Sequence, residues 1–277
     1  MPESSHVSRA AVSHEASVTA QRAWWDGEAG DYYADHGAFL GDSGFVWGPE
    51  GWTEAELSLL SPAGGMPSDP VLEIGAGAAQ CSRWLRDHGV SVVASDLSGG
   101  MLARARAIET SGGKPAVPLV QCDGARLPFA DEAFEVVFTA YGVVPFVADS
   151  ARVMSEAARV LRPGGRLVFS TTHPIRWAFP DVPGPAGLTA HQSYWDTRPY
   201  VEEDGAGKVT YVEHHRTLGE RVREIVAAGL TLTDLVEPTW PDRNDQEWGG
   251  WSPTRGRVIP GTAIFVCDKP IRPAGES

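Results

Sequence analysis

The sequence has few basic residues for its length. Its 277 residues include 23 lysines and arginines against 36 aspartates and glutamates, which gives a formal net charge of −13. A nucleic-acid-binding protein needs a clustered basic surface to neutralise phosphates. We therefore exclude nucleic acid as the main partner, and we interpret the acids, which are spread along the chain, as a solvated surface.

Long apolar runs are also missing from the sequence. No stretch approaches the roughly 20 apolar residues of a transmembrane helix. The first residues lack the basic-then-apolar pattern of a secretory signal. These absences predict a cytoplasmic protein without a membrane partner.

Cysteine is scarce, and its positions do not suit a metal. Cys81, Cys122 and Cys267 lack the spacing of metal ligands, so we expect reduced thiols. The adjacent His214 and His215 have no carboxylate at ligand spacing either. The sequence therefore predicts no metal site.

The length fits one large domain that can bury a full core. Residues 1–17 are small and polar and predict a disordered leader. Residues 18–277 are expected to form a single domain. Within it, residues 18–60 are interpreted as a helical cap and residues 171–215 as an inserted lid, with a hairpin turn at Asp204-Gly205.

The most informative stretch runs from Val71 to Ala79. Val71 to Ile74 indicates a buried strand, and Gly75 and Gly77 follow directly, before a helical pattern. Glycines at such a turn let the backbone approach a ligand because no Cβ is in the way. The N–H groups at the helix start favour an electron-rich or anionic group. This pattern predicts a turn that binds a nucleoside-bearing cofactor.

Acidic residues follow the next two predicted strands. Val90 to Ala94 is followed by Asp96, where a carboxylate suits a pair of ribose hydroxyls. Val117 to Gln121 is followed by Asp123, where a carboxylate can accept a hydrogen bond from the exocyclic amine of adenine. Two acids at separate strand ends therefore predict an adenosine site.

A nicotinamide dinucleotide fits this turn poorly. The dinucleotide fingerprint requires glycines at its first, third and sixth positions, and here these positions are Gly75, Gly77 and Gln80. The third glycine allows the close helix–strand packing of that motif. A nicotinamide oxidoreductase therefore stays only as an alternative.

Four motifs together resemble class I S-adenosylmethionine-dependent methyltransferases. They are Glu-x-Gly-x-Gly-x-Ala from Glu73, Asp-x-Ser-x-x-Met-Leu from Asp96, the run Asp123-Gly-Ala-x-Leu-Pro-Phe, and Leu-x-Pro-Gly-Gly from Leu161. The resemblance implies S-adenosyl-L-methionine as cofactor. The cofactor residues that it implies are Tyr33 (with Trp25 as second choice), Glu73, Gly75, Ala76, Gly77, Asp96, Leu97, Met101, Asp123, Gly124, Ala125, Ala140 and Tyr141.

The resemblance also implies the fold. We expect an α/β protein with a seven-stranded, mostly parallel Rossmann-like sheet and an antiparallel last strand, a helical N-terminal cap and a lid after strand five. Two departures from the family pattern are Ala79, where the family often has glycine, and Ala140-Tyr141-Gly142 after strand four.

The candidate catalytic residues are histidines near the lid. His173 follows the fifth strand, where ligands of open α/β sheets lie, and a histidine can take a proton from a hydroxyl or ammonium group near neutral pH. His214 is the second candidate. Either histidine has an alternative role in which it only shapes or supports the pocket.

The family implies methyl transfer to an O, N or C nucleophile of a small molecule by in-line displacement. The protein aligns the reactants and excludes water. The main alternative is a non-methylating protein of the same fold that uses the cofactor for a rearrangement or for regulation. A homodimer is possible.

Overall fold

The computed structural model describes residues 6–68, 70–109 and 115–271. Ten strands are present in these ranges. They are β1 (His6–Arg9), β2 (Val71–Ile74), β3 (Val92–Asp96), β4 (Leu119–Gln121), β5 (Phe134–Thr139), β6 (Leu161–Thr172), β7 (Tyr200–Glu203), β8 (Val209–Glu213), β9 (Thr231–Val236) and β10 (Thr262–Asp268).

Helices cover the sheet and form the cap. The α-helices are α1 (His14–Leu40), α2 (Glu54–Leu57), α3 (Gln80–Asp87), α4 (Gly99–Glu109), α5 (Ser150–Val160), α6 (Leu218–Ala227) and α7 (Pro253–Gly256). Two 3₁₀ helices span Pro174–Ala178 and Pro185–Leu188. No helix in the described part of the chain is both long enough and apolar enough for a transmembrane span.

The central sheet has seven strands in the order β4-β3-β2-β5-β6-β10-β9. The strands from β4 to β6 are parallel, whereas β10 lies antiparallel to both β6 and β9. The predicted α/β fold with a mostly parallel sheet and an antiparallel last strand is therefore confirmed.

Both faces of the sheet are buried, which explains the apolar character of its strands. Val71 packs in one hydrophobic cluster with Val136 and Phe138. Its neighbour Leu72 packs in the opposite cluster with Phe169. Because β2, β3 and β4 are parallel neighbours, their carboxyl ends meet at one edge of the sheet.

The N-terminal cap is a longer helix than the sequence pattern indicates. The pattern predicts a helix from Val18 to about Asp35, but α1 already begins at His14. The Ser13 side chain caps it by accepting a hydrogen bond from the Ala16 N–H at 3.2 Å. The cap contacts the start of α4 through Asp26, whose Oδ1 accepts from Ser98 Oγ and Gly100 N.

The predicted disordered leader differs from the structure over residues 6–17. Strand β1 pairs antiparallel with β7, and β7 pairs with β8 to form a second, three-stranded sheet. Residues 6–9 form a strand because Tyr200–Glu203 supply its hydrogen-bond partners, and no local pattern reveals a pairing so distant in the chain. Residues 1–5 lie outside the described ranges. The hairpin predicted at Asp204-Gly205 is present as the β7–β8 turn.

Candidate functional site

The glycine turn after β2 has the conformation that the sequence predicts. Gly75 and Gly77 have φ values of 69° and 54°, and a Cβ on Gly75 would lie 2.3 Å from Val143 Cγ2. Positive φ and close approach both require glycine at position 75. Ala79 also has a positive φ of 60°, so it takes the conformation that a glycine would adopt more readily.

The Asp96 carboxylate lies at the carboxyl end of β3, beside this turn. Its Oδ2 accepts a hydrogen bond from Gly77 N at 2.7 Å, and its Oδ1 accepts one from Ser98 N at 2.8 Å. Burial raises the pKa of Asp96. Each carboxylate oxygen can accept a further hydrogen bond, so Asp96 is held in place by the backbone and can still bind hydroxyl groups.

Asp123 has the equivalent position beyond β4. Its Oδ1 accepts a hydrogen bond from Ala125 N at 2.9 Å, and His14 Nε2 lies 3.7 Å from its Oδ2. Cys122 N donates to the carbonyl of Asp96 at 2.9 Å, which fixes the two acids side by side. The pair has the arrangement expected for a sugar and the base attached to it.

Glu73 lies beneath the turn and is buried. Its Oε2 accepts hydrogen bonds from the Ser82 N–H at 3.0 Å and from the Ser82 hydroxyl. Burial raises the pKa of Glu73 to about 7. Glu73 thus connects β2 to α3 at the wall of the cavity.

One cavity of about 340 Å³ connects these elements with the cap. All predicted cofactor residues except Ala125 line it, and so does Trp25. Ala125 is buried and directs its N–H to Asp123. Tyr33 reaches the rim, where its hydroxyl donates to Asp42 and the Arg104 guanidinium lies 3.9 Å from the centre of its ring.

Aromatic side chains form the other end of the cavity. We call this region the aromatic chamber and define it by rings that all line the cavity: Trp25, Tyr32, Phe146, Tyr211 and Trp248. The ring centre of Trp25 lies 5.4 Å from that of Tyr32 and 5.5 Å from that of Phe146. Apolar walls of this kind suit a planar organic molecule.

A polar cluster closes the aromatic chamber on the lid side. Arg176 Nη1 donates to Glu213 Oε2 at 3.1 Å, and Arg176 Nη2 donates to Asp181 Oδ2 at 2.9 Å. Glu213 Oε1 accepts from the Tyr211 hydroxyl at 2.6 Å. The two carboxylates outweigh burial and raise the pKa of Arg176. Sequence reasoning missed this cluster, because its members come from separate parts of the lid.

The loop after β5 carries a strained residue into the cavity. Tyr141 has a φ of 59°, which is uncommon for a residue with a side chain. Its N–H donates to Ser170 Oγ at 2.7 Å, and its hydroxyl accepts from Thr172 Oγ1 at 3.2 Å. Such strain persists only where the surroundings enforce it, often at binding sites.

Comparisons with known proteins agree with this geometry. Residues 72–169 match a methyltransferase domain family. A demethylmenaquinone methyltransferase of Mycobacterium sp. (strain JLS) is 44% identical over 217 residues, covering 74% of this chain and 78% of the relative. The chain belongs to the class I S-adenosylmethionine-dependent methyltransferases.

Further relatives support the same family. The demethylmenaquinone methyltransferase of Beutenbergia cavernae is 40% identical over 130 residues, which cover 46% of this chain and 49% of the relative. In this second relative, the similarity spans only about half of the length of the protein. A crystal structure of an S-adenosylmethionine-dependent methyltransferase from Mesorhizobium loti is 25% identical, with a TM-score of 0.57 over 88% of this chain and 99% of that one.

Neither candidate histidine lines the cavity of this methyltransferase fold. His173 Nε2 lies 2.8 Å from Glu237 Oε1, and its Nδ1 accepts from Ile175 N at 3.1 Å. His214 Nε2 lies 2.9 Å from Ser17 Oγ. Both rings are buried in structural contacts because the chain turns away from the cavity beyond Thr172 and Glu213, which do line it. We therefore do not retain a catalytic role for either histidine.

Proposed function

We propose that this protein transfers the methyl group of S-adenosyl-L-methionine to an O, N or C nucleophile of a small organic molecule. The observation that supports the proposal most strongly is the single cavity that joins two strand-end acids to the aromatic chamber. Such a cavity suits a nucleoside cofactor and a flat acceptor at the same time.

The chain's own residues would hold the cofactor. S-adenosyl-L-methionine supplies a methyl group activated by a sulfonium centre. Asp96 would accept from the ribose hydroxyls and Asp123 from the adenine amine, while the open backbone at Gly75 and Gly77 allows close approach. We call these four residues the cofactor end of the cavity.

The aromatic chamber would hold and orient the acceptor. Its rings exclude water from the reacting atoms, and orientation of two bound reactants can account for much of a rate enhancement. The names of the relatives suggest one acceptor to test first, the reduced form of demethylmenaquinone, whose ring system is flat and carries hydroxyl groups.

Turnover to S-adenosylhomocysteine tests the proposal. The protein would be incubated with S-adenosyl-L-methionine and a panel of phenols, amines and reduced demethylmenaquinone, and the methylated product would be identified by mass spectrometry. We expect acceptor-dependent formation of S-adenosylhomocysteine and a product that is 14 Da heavier than its acceptor. Tight cofactor binding without turnover of any acceptor would favour the non-methylating alternative.

Thermal shifts with two different cofactors distinguish the proposed methyltransferase from a nicotinamide oxidoreductase. A ligand that binds only the native state raises the melting temperature. We expect S-adenosylhomocysteine to raise it and NAD to leave it unchanged. The opposite result would favour the oxidoreductase.

Several properties of the whole protein remain proposals. We propose a single domain over residues 18–277, a cytoplasmic location consistent with three free thiols, and action on a small molecule rather than on nucleic acid or a membrane. A homodimer is a further proposal, and light scattering on the purified protein would test it.

A further inference from the structure

Gln21 projects from α1 into the wall of the cavity. The residue is 2% exposed and lines the cavity together with Trp25 and Tyr32, which follow it on the same helix. None of the four sequence motifs that carry the resemblance includes this position. A buried amide facing a binding cavity needs partners for both its oxygen and its nitrogen.

The orientation of the Gln21 amide is fixed by β8. Its Nε2 donates to the carbonyl of Val212, and because a carbonyl only accepts, the nitrogen must lie on that side. The amide oxygen Oε1 is buried and has no hydrogen-bond partner among the described residues. A buried acceptor without a donor destabilises the protein, and a ligand that donates to Oε1 would remove this penalty.

Tyr141 offers the opposite polarity in the same cavity. Its hydroxyl oxygen accepts from Thr172 Oγ1, which leaves the O–H to donate. Arg176 directs its two terminal nitrogens to Glu213 and Asp181, so we do not assign it to an anionic acceptor. Gln21 Oε1 is thus an acceptor that lacks a donor among the described residues, and the Tyr141 hydroxyl is a donor; both residues line the cavity.

We infer that Gln21 Oε1 selects methyl acceptors that are aromatic and carry a hydroxyl or amino donor, and that it does so by accepting a hydrogen bond from that donor. The inference rests on the proposed function and specifies its substrate class. An aromatic molecule of the same size without the donor leaves Oε1 unpaired and binds more weakly.

A matched pair of ligands isolates this hydrogen bond. Naphthalen-1-ol carries an O–H donor, whereas 1-methoxynaphthalene keeps the ring system and the oxygen but has no donor. Both can accept from Tyr141, so the two ligands differ in the donor, and the Gln21 variants below test whether Gln21 is its partner. Each compound is titrated calorimetrically into the complex with S-adenosylhomocysteine, and we expect naphthalen-1-ol to bind about tenfold more tightly.

Variants of Gln21 separate recognition from support of the fold. Gln21→Met and Gln21→Glu both lose the amide N–H that donates to Val212, but only the glutamate keeps oxygen acceptors. We expect the tenfold preference to fall to about one in Gln21→Met and to persist in Gln21→Glu. Gln246→Met, at an exposed residue, serves as the matched control and keeps the preference.

The outcomes distinguish the two proposals. An equal ratio in wild type and Gln21→Met, or no binding of naphthalen-1-ol to the complex with S-adenosylhomocysteine, overturns the inference and leaves the proposed function standing. Loss of the preference in Gln21→Glu as well as in Gln21→Met overturns it too, because the oxygen acceptor is then not what matters. Failure of S-adenosylhomocysteine to bind the wild-type protein overturns the proposed function and the inference with it.

Discussion

The cofactor end and the aromatic chamber are built in different ways. At the cofactor end, backbone turns after consecutive parallel strands position the groups, and all of them lie within residues 71–124. The aromatic chamber takes side chains from α1, the loop after β5, the lid and the Trp248 loop. The difference shows how one fold can keep its cofactor site while its acceptor site varies, because four of the five chamber rings come from a helix or from loops and the fifth, Tyr211, comes from the second sheet.

The largest expected effect concerns the cofactor end. Asp96→Ala removes the carboxylate that accepts from Gly77 and Ser98 and, by our proposal, from two ribose hydroxyls. Charge-assisted hydrogen bonds contribute about 1.5–3 kcal/mol each, so we expect the affinity for S-adenosylhomocysteine to fall about a thousandfold. Isothermal titration calorimetry would measure the loss.

An exposed aspartate provides the control for this change. Asp242 has a 98% exposed side chain, and Asp242→Ala should keep wild-type affinity. If Asp96→Ala bound S-adenosylhomocysteine as tightly as Asp242→Ala does, the cofactor end would lie elsewhere.

The next largest effect is a loss of stability when the glycine turn is substituted. Gly75 and Gly89 both have positive φ, at 69° and 85°, but only at Gly75 would a Cβ meet another group, Val143 Cγ2. The strained φ costs about 1–2 kcal/mol in either alanine variant, and overpacking adds about 1–3 kcal/mol in Gly75→Ala. Urea unfolding should therefore show a larger loss for Gly75→Ala. Equal losses would mean that the approach of Val143 is unimportant.

A smaller effect concerns pH, and the two regions should respond with opposite sign. Burial lowers the pKa of His214, beside the lid sheet, to about 4. The buried neutral ring contributes fully to the free energy of unfolding above the unfolded pKa of about 6.5. This contribution is lost as the pH falls toward 4. Between pH 7.5 and 5.5 this loss is about 1 kcal/mol. On acidification over this range, we expect the free energy of unfolding to fall less in His214→Gln than in the wild type.

The contribution of Glu73, beside the cofactor end, to stability changes with pH in the opposite direction. Its pKa is raised to about 7 by burial, so its contribution is fully present below the unfolded value and is lost as pH rises through 7. Glu73→Gln should remove this loss of stability, which occurs between about pH 4.5 and pH 7. Parallel pH profiles of the unfolding free energy in wild type and Glu73→Gln would contradict the burial of the carboxyl.

The smallest expected effect is on catalysis by His173. A general base contributes about 10²–10⁴-fold, and we expect His173→Gln to change the turnover number by no more than about twofold. The reason is that both ring nitrogens are bonded away from the cavity, to Glu237 and Ile175. A hundredfold loss of turnover with an unchanged melting temperature would show that His173 takes part in the reaction.

These contrasts explain how much of the molecule the sequence reveals. The sheet, the glycine turn, Asp96 and Asp123 follow from local patterns, because strand, turn and acid are adjacent in the chain. His173 does not line the cavity, because nearness to a strand end in sequence does not fix the direction of a side chain. Gln21, Arg176 and Glu213 could not be predicted, since they meet only after β1, β7 and β8 have paired.

A crystal structure with S-adenosylhomocysteine tests the central claim most directly. We predict that the ribose lies against Asp96, that the adenine amine faces Asp123, and that the sulfur points toward the aromatic chamber. A ligand bound outside this cavity, or one whose sulfur points away from the chamber, would contradict the account.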